Sequence, residues 1–244
     1  MDEIRLRELA KRCAERQMLE ASYFLTPAER YDTEKWALKD PDIRTVFFGG
    51  NENTERTCAF FLPFYIEEKD IDYSEYIRAV KITARFADPS HRDYMGSILG
   101  LGIERDRIGD IIPGDECAYV FCTPAVLPVI LGIERVGRAG VKAEEIALSE
   151  VPVAAKKIKN VSFSVMSPRL DAVVSGMFGI SRTKAASVIA QERVSVNYAI
   201  VVKPDLQIKP GDIVTLRGKG KGIVGGQNGT SKKGRLYMEA DIYI

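Results

Sequence analysis

The charged side chains are segregated along the chain, and this constrains the fold more than any other feature. Residues 1–150 contain 20 Lys and Arg against 28 Asp and Glu, a net charge of −8, whereas residues 151–244 contain 15 against 6, a net charge of +9. The total of +1 therefore conceals two regions of opposite charge. Such asymmetry is typical of an acidic body that carries a basic module with a polyanionic partner. A basic face that contacts only solvent is the alternative.

The composition is that of a globular protein with one large core or several small ones. The chain has 244 residues, of which 45% are hydrophobic. It has no run close to the ~18 apolar residues that a membrane span requires. The charged N-terminus lacks the apolar stretch of a secretory signal, and four cysteines in this length do not form a disulfide framework. We therefore expect a cytoplasmic protein without a membrane partner.

Residues 1–75 are predicted to form a small α+β domain. Apolar residues recur with helical spacing near the start of the chain, at Leu6, Leu9, Ala10 and Cys13. A second helix should begin at Thr26 with a capping box closed by Glu29, and it should end near residues 40–41, because a residue before proline avoids the α region. Two strands are then expected over residues 45–51 and 57–65, around a glycine-containing turn.

Residues 76–155 are predicted to form a ferredoxin-like domain, the plan of the RNA-recognition motif. The expected elements are a strand over 78–86, a helix over 91–101, strands over 108–112 and 117–121, a helix over 125–136 and a strand over 141–146. This βαββαβ order defines the plan. Aromatic residues alternate on the third strand, at Tyr119 and Phe121, but the basic and glycine positions of the ribonucleoprotein signature are missing. We therefore expect this acidic region to position the tail or to contact protein.

Residues 160–244 are predicted to form a third domain that begins after a basic run at 156–159. Two short helices are expected over residues 168–177 and 181–192. Strands are expected over residues 194–197, 200–202, 212–217 and 235–244, with Gly- and Lys-rich loops between the last of them.

The start of the second tail helix has the features of a polyanion site. Ser181 can cap this helix, whose N-terminal N–H groups and dipole favour a phosphate. Arg182 and Lys184 add positive charge in the same turn, where it opposes the dipole, so we expect a partner to supply negative charge. Arg169 lies at the start of the preceding helix. Asp171 is expected to pair with a nearby arginine or to cap locally rather than to act in catalysis.

A second basic segment follows in the same domain. Arg217, Lys219 and Lys221 alternate with glycines, and Lys232 and Lys233 come shortly after them. Glycine allows a backbone to approach a phosphate chain closely, while lysine supplies the charge. A flexible loop in solvent is the alternative.

These residues together resemble the S-four RNA-binding domain, which is named for the fourth protein of the small ribosomal subunit. The shared pattern is Arg-Leu-Asp at 169–171, Ser-Arg-x-x-Ala at 181–185, Val-x-Val-Asn at 194–197 and Gly-Asp at 211–212. Further motifs are similar to the YlmH-like family of bacterial proteins: Phe-Phe-Gly-Gly at 47–50, Glu-Arg at 55–56, His-Arg-Asp at 91–93, Arg-Ile-Gly-Asp-Ile at 107–111 and Arg-Gly-Lys-Gly at 217–220. This resemblance spans nearly the whole chain.

The resemblance implies an α+β protein with an N-terminal α+β domain, an RNA-recognition-motif-like middle domain and a C-terminal S-four domain of two helices on a small bent sheet. It also implies a non-enzymatic protein that binds structured ribosomal RNA or tRNA at the large ribosomal subunit, in ribosome-associated quality control or translation. We expect a monomer away from the ribosome. The implied RNA-binding residues are Arg169, Ser181, Arg182, Lys184, Arg217, Lys219, Lys221, Lys232 and Lys233.

Two residues depart from the S-four pattern. Glu192 and Tyr198 stand where many S-four domains have glycine. Glu192 should weaken the end of the second helix. Tyr198 either stacks on a base or packs within the domain.

An RNA-modifying enzyme is the alternative function. S-four domains are often attached to such enzymes, and the Arg-Leu-Asp motif resembles that of one pseudouridine synthase group, with Asp171 as the catalytic residue. Pro168, however, replaces the glycine expected before the motif.

Other catalytic and metal-binding patterns are incomplete. His91 is the only histidine in the chain. The Ser-x-x-Lys spacing at 181–184 lacks the companion motifs of the serine β-lactamases. Cys117 and Cys122 lack a second Cys/His pair for zinc. We therefore expect no cofactor and no metal.

Overall fold

The computed structural model describes residues 2–39, 44–84, 87–153, 157–230 and 234–243. The chain divides into two compact units, Met1–Ala154 and Ala155–Ile244. Because residues 151–155 are uncharged, this division separates the net charge of −8 from that of +9. Helices and strands are mixed in both units, which confirms the predicted α+β class. The finer division of the first unit, into 1–75 and 76–155, stays a prediction.

The N-terminal segment of the first unit is a three-stranded antiparallel sheet with two helices. Its elements are α1 (Glu3–Arg16), β1 (Glu20–Ala21), α2 (Pro27–Ala37), β2 (Arg44–Phe48) and β3 (Cys58–Leu62), with the strand order β1-β3-β2. The predicted capping box starts α2, since the Thr26 hydroxyl accepts a hydrogen bond from the Glu29 N–H at 3.3 Å. The helix ends three residues earlier than expected, at Ala37.

The middle segment of the first unit has the predicted βαββαβ order with one added strand. Its elements are β4 (Arg78–Ala84), α3 (His91–Gly100), β5 (Ile108–Gly114), β6 (Cys117–Cys122), α4 (Leu127–Leu131), β7 (Arg135–Val136) and β8 (Ala139–Ile146), with the strand order β5-β6-β4-β8-β7. The prediction of a helix over 125–136 is wrong in its second half. Gly132 follows the last helical residue, and Arg135 and Val136 pair with Gly140 and Ala139 in a hairpin.

The two segments of the first unit share one core. β3 is buried along its whole length, because α1 packs on one of its faces and the middle sheet on the other. The buried Arg56 side chain donates hydrogen bonds to the backbone carbonyls of Phe24 (2.8 Å) and Ile108 (3.1 Å). The Asp110 carboxylate accepts the N–H groups of Glu55 and Arg56. The motifs at 55–56 and 107–111 therefore join the two segments.

Phe121 belongs to this shared core. Its ring is fully buried and faces Gly50, where an added Cβ would lie 2.3 Å from the ring. Gly109 is packed in the same way against the Phe24 ring, since an added Cβ at Gly109 would lie 2.6 Å from that ring. The alternating aromatics of β6 thus contribute to an internal interface at the Phe121 end of the sheet.

The second unit is a six-stranded sheet that carries two helices. Its elements are β9 (Ile158–Val165), α5 (Leu170–Phe178), α6 (Arg182–Ala190), β10 (Val194–Val196), β11 (Ala199–Ile200), β12 (Ile213–Leu216), β13 (Gly220–Thr230) and β14 (Leu236–Tyr243). The strand order is β11-β10-β12-β13-β14-β9. Both predicted helices are present. Across the described residues of both units, no helix has the length and the apolar composition that a membrane crossing requires.

Two strands of this sheet were not predicted. β9 pairs with β14 along its full length, although residues 156–159 are only a basic run in the sequence. β13 replaces the expected Gly- and Lys-rich loop, and it contains five glycines that weaken its strand signal. Packing explains one of them, since a Cβ at Gly222 would lie 2.8 Å from Met177 of α5 and from the Asp241 carbonyl of β14.

Candidate nucleic-acid interface

Asp171 organises the positive charge at the start of the two helices. The residue is 7% exposed, and its carboxylate accepts hydrogen bonds from Arg169 Nε (3.2 Å) and Arg182 Nη2 (2.8 Å). The two arginine side chains remain 38% and 58% exposed. One buried carboxylate therefore holds two guanidinium groups at the surface. We call Arg169, Asp171, Ser181, Arg182 and Lys184 the Asp171 cluster.

The electrostatics of the cluster keep the carboxylate ionised. Burial alone would raise the pKa of Asp171, but the hydrogen bonds and charges of Arg169 and Arg182 outweigh it and hold this pKa below its ordinary value. The same contact raises the pKa of Arg169. Each guanidinium group has five N–H donors, more than its contacts with the carboxylate use, so donors remain for hydrogen bonds to a phosphate.

The stability of the second unit should depend on pH through Asp171. A carboxylate with a lowered pKa in the folded state stabilises the fold above its ordinary pKa, and this contribution is lost as the pH falls through the folded value. Asn cannot titrate, so Asp171→Asn should make the second unit lose less stability between pH 6 and pH ~2.5 than the wild type does. Urea unfolding of the two proteins at a series of pH values measures the difference. Equal losses would show that the carboxylate is not held as described.

The first turn of α6 adds two more members of the cluster. Gly179 ends α5 in the left-handed conformation (φ 62°), and Ser181 then caps α6 by accepting the Lys184 N–H at 3.2 Å. The turn contains no acidic residue, while the side chains of Arg182 and Lys184 are exposed. Free N–H groups, the positive end of the helix dipole and two cations therefore coincide, which is the arrangement that favours an anion.

A second basic group surrounds the hairpin turn between β12 and β13. Arg217 and Arg193 are joined by two hydrogen bonds, from the Arg217 N–H to the Arg193 carbonyl (2.9 Å) and from Arg193 Nη2 to the Arg217 carbonyl (3.0 Å). Gly218 and Gly220 have positive φ angles of 83° and 110°, which a tight turn around Lys219 requires. We call Arg193, Arg217 and Lys219 the hairpin group.

The structure separates the predicted site residues into these two groups. The Asp171 cluster lies at the start of α6 and the hairpin group follows its end, so the length of the nine-residue helix, about 13 Å, separates them. Lys221 lies further along β13, with Nζ 5.5 Å from the centre of the Tyr243 ring. Lys232 and Lys233 lie outside the described residues. Their role stays a prediction, as does that of each candidate.

Sequence analysis missed Arg193. Its exposed side chain bonds to the Arg217 turn, and only the pairing of β10 with β12 brings the two residues together. In the sequence Arg193 stands alone between Glu192 and a strand, so no local pattern indicates it.

The Val-x-Val-Asn and Gly-Asp motifs have a structural role. Asn197 has a positive φ of 50°, its Nδ2 donates to Asp212 Oδ1 at 2.8 Å, and its Oδ1 accepts the Ile213 N–H at 2.9 Å. Asp212 also accepts the Lys209 N–H at 2.7 Å. The motifs therefore fix the start of β12 against the end of β10 and set the geometry of the hairpin group.

The two departures from the S-four pattern fall on left-handed backbone. Glu192 and Tyr198 have φ angles of 57° and 68°, a region that glycine adopts without the Cβ clash. These are the positions where glycine is frequent in the pattern. Tyr198 is half-buried, so at least part of its side chain packs within the unit.

Glycine at position 192 should therefore be tolerated or stabilising. Glu192→Gly removes a left-handed strain of about 1–2 kcal/mol but gives the unfolded chain more conformational entropy, which costs about 0.4–1 kcal/mol of stability. The free energy of unfolding should therefore rise by about 0–1.5 kcal/mol. Glu192→Val, with its branched Cβ, should lower it instead. Urea unfolding of both variants measures the effect, and equal destabilisation by both would contradict the assigned backbone.

Over the ranges that the structure defines, no three Cys, His, Asp or Glu side chains converge as metal ligands. All four cysteines are buried and unpaired. The carboxylate of Asp171 is held by two arginines, in agreement with the pairing expected from the sequence.

Comparisons with known proteins agree with this organisation. The family model described as "Putative RNA-binding domain in YlmH" matches residues 68–150, and that for the S4 (S-four) domain matches residues 168–214. The chain is 27% identical over 220 residues to the "Ribosome-associated protein quality control protein P2" of Bacillus subtilis (strain 168), covering 90% of this chain and 85% of that protein. The solved "Cell division protein ylmH from Streptococcus pneumoniae" superposes with a TM-score of 0.53 at 22% identity, over 60% of this chain and 90% of that one, and shows the fold alone.

Proposed function

Because this chain is a YlmH-like protein, with the RNA-binding domain of YlmH followed by an S-four domain, we propose that it binds structured ribosomal RNA or tRNA at the large ribosomal subunit. In this proposal it acts without catalysis, in ribosome-associated quality control or translation. It works in the cytoplasm, where ribosomes are engaged, and is a monomer away from them. The relative from Bacillus subtilis carries ribosome-associated quality control in its name.

The Asp171 cluster is the observation that carries the proposal. It holds Arg169 and Arg182 at the surface beside the capped start of α6, within a unit of net charge +9. A phosphate placed there would meet two guanidinium groups, the Lys184 ammonium and the helix N–H groups. Such contacts fix a protein on an RNA backbone without reading the base sequence. This suits RNA recognised through its folded shape.

The hairpin group adds a second set of exposed positive charges to the second unit. Arg193, Arg217 and Lys219 are all exposed, and about 13 Å of helix separates them from the Asp171 cluster. Two groups at this separation can contact phosphates that are not neighbours on one strand. Structured RNA, in which the backbone folds back on itself, presents such phosphates together. Folded RNA such as ribosomal RNA or tRNA can therefore contact both groups at once.

Co-sedimentation with separated ribosomal subunits tests the proposal. The purified protein should pellet with large subunits at low salt and be released as the salt concentration rises, while small subunits should retain much less of it. Crosslinks from the pelleted complex should map to ribosomal RNA or tRNA. Equal pelleting with both subunits, or none at low salt, would contradict the assignment to the large subunit.

A second assay distinguishes binding from RNA modification. In the enzymatic alternative, Asp171 would be catalytic, and unmodified ribosomal RNA incubated with the protein would acquire modified nucleosides. In our proposal no modified nucleoside forms, and Asp171→Asn changes RNA binding but no chemical product. Nucleoside analysis by mass spectrometry gives the answer, and modification that disappears in Asp171→Asn would overturn the proposal.

A further inference from the structure

The middle segment of the first unit is acidic, although a family model for RNA binding matches it. Residues 68–150 match the family model described as "Putative RNA-binding domain in YlmH", yet they contain 10 Lys and Arg against 15 Asp and Glu, a net charge of −5. One end of its sheet is also covered, because Phe121 packs against the N-terminal segment. If this segment contacts RNA, it must do so through a local basic surface, because its net negative charge repels RNA.

Several of its basic side chains are already neutralised by carboxylates. Within the described parts of 68–150, ion pairs join Lys69 to Glu67 (2.7 Å), Arg78 to Glu145 (3.3 Å), Arg107 to Glu104 (3.5 Å) and Lys142 to Glu144 (3.9 Å). Arg105 donates to the backbone carbonyl of Ile108 at 2.6 Å. These residues have partners within the protein.

Three other arginines have no carboxylate oxygen within 4 Å of their guanidinium nitrogens in the described part of the chain. Arg135 and Arg138 lie on the β7–β8 hairpin, and Arg92 lies in the first turn of α3. All three are exposed. The hairpin is fixed against α3, since the Gly137 N–H donates to Ser97 Oγ at 3.1 Å. The three positive charges are therefore held by two elements that pack together.

The carboxylates of this region compensate the arginines only in part, and the charge of Asp93 does attract Arg92. Asp93 follows Arg92 directly, but its carboxylate accepts hydrogen bonds from the Ser90 N–H (2.9 Å) and hydroxyl (2.7 Å) and so serves as the cap of α3. On the hairpin, residues 134–142 contain one acidic residue, Glu134, and three basic ones. The surface is locally positive on a negative segment.

Exposed glycines occur on the same helix and hairpin as the three arginines. Gly96 and Gly100 in α3 and Gly140 in β8 have nothing within 4 Å of an added Cβ, so internal packing does not require glycine there. Glycine inside a helix costs about 1 kcal/mol relative to alanine. The missing side chains leave room for a nucleic-acid backbone to lie close to the protein, which is consistent with the charge beside them.

We propose that Arg92, Arg135 and Arg138 form a second RNA-binding surface, the Arg92 surface, which binds backbone phosphates of the same ribosomal RNA. This inference rests on the proposed function and extends it to the acidic unit. The contact is electrostatic and independent of base sequence, because the residues offer guanidinium groups and no aromatic platform.

Charge removal at this surface should change the salt dependence of RNA binding. Replacing Arg92, Arg135 and Arg138 together by alanine should lower the slope of log affinity against log salt by about 2–3, since each phosphate contact contributes about 0.7–0.9. The full chain and purified large-subunit ribosomal RNA are the reagents. The matched control replaces Lys69, Arg78 and Lys142, which have carboxylate partners, and should lower the slope by less than about 1. Equal slopes for the Arg92-surface variant and the wild type would overturn the inference.

Crosslinking gives a second readout that leaves the arginines intact. The four native cysteines are buried, and burial raises the pKa of the Cys122 thiol to about 12, so an introduced surface cysteine can be labelled selectively. A photoreactive group on Gly140→Cys should crosslink to ribosomal RNA, whereas one on Lys69→Cys should give at least tenfold less product. No excess from position 140 would overturn the inference.

The results separate this inference from the proposed function. If the wild type binds ribosomal RNA with a steep salt dependence that Arg182→Ala reduces, the proposed function stands, and an unchanged slope in the Arg92-surface variant then defeats the second surface alone. If the wild type shows no salt dependence, the proposed function itself fails.

Discussion

Replacing Gly50 by alanine is expected to lower the free energy of unfolding of the first unit by about 3 kcal/mol or more. Gly50 has a φ of 114°, which costs a side-chain-bearing residue about 1–3 kcal/mol. Its Cβ would also lie 2.3 Å from the Phe121 ring, and overpacking a filled core costs about another 1–3 kcal/mol. Phe121 is fully buried between the two segments.

Trp36 makes this effect measurable in the full chain. It is the only tryptophan and lies in the first unit against Phe61, so its fluorescence reports unfolding of that unit. Gly140→Ala is the matched control, because its Cβ meets nothing within 4 Å, and it should change the free energy of unfolding by less than about 1 kcal/mol. Similar urea midpoints for Gly50→Ala and wild type would show that the two segments do not share the described core.

Removing the three cations of the Asp171 cluster should have the largest effect on RNA binding. Replacing Arg169, Arg182 and Lys184 together by alanine should lower the slope of log affinity against log salt by about 2–3. Near 0.1 M salt this corresponds to a loss of affinity on the order of a hundredfold. The expected loss of affinity is large because these cations lie beside the helix N–H groups that would bind the same phosphate.

A control variant with the same change in net charge shows whether RNA affinity depends on where the cations lie or only on the total charge. Lys157, Lys159 and Lys209 are exposed residues of the second unit outside both basic groups, and replacing all three by alanine removes the same net charge. This control should lose much less affinity, since it removes only long-range attraction. Affinity losses of equal size in the two variants would mean that the unit attracts RNA without a defined site. Far-ultraviolet circular dichroism of both variants should match the wild type.

The helices and the charge division of this protein follow from local sequence signals. The capping box of Thr26 and the cap by Ser181 are local hydrogen-bond patterns, and both form as expected. The two units coincide with the change in charge between residues 150 and 157. Asp171 was expected to pair with a nearby arginine or to cap locally, and it pairs with two arginines.

The strands that sequence analysis missed depend on partners far along the chain. β13 has a weak local signal because of its glycines, and it forms because β12 and β14 pair with both of its sides. For the same reason Arg193 could not be assigned to the hairpin group, since its contact with Arg217 exists only after β10 and β12 pair. Buried contacts such as those of Arg56 are likewise tertiary, although the motif at 55–56 marked the position.

The salt dependence of RNA binding by the intact protein tests most directly whether the basic unit binds phosphate. The dissociation constant for purified large-subunit ribosomal RNA should be measured over a salt series from about 0.05 to 0.5 M. We predict that log affinity falls linearly with log salt, with a slope of about −3 or steeper, and that Arg169, Arg182 and Lys184 contribute to this slope. An affinity that stays constant over this range would contradict RNA recognition through the Asp171 cluster.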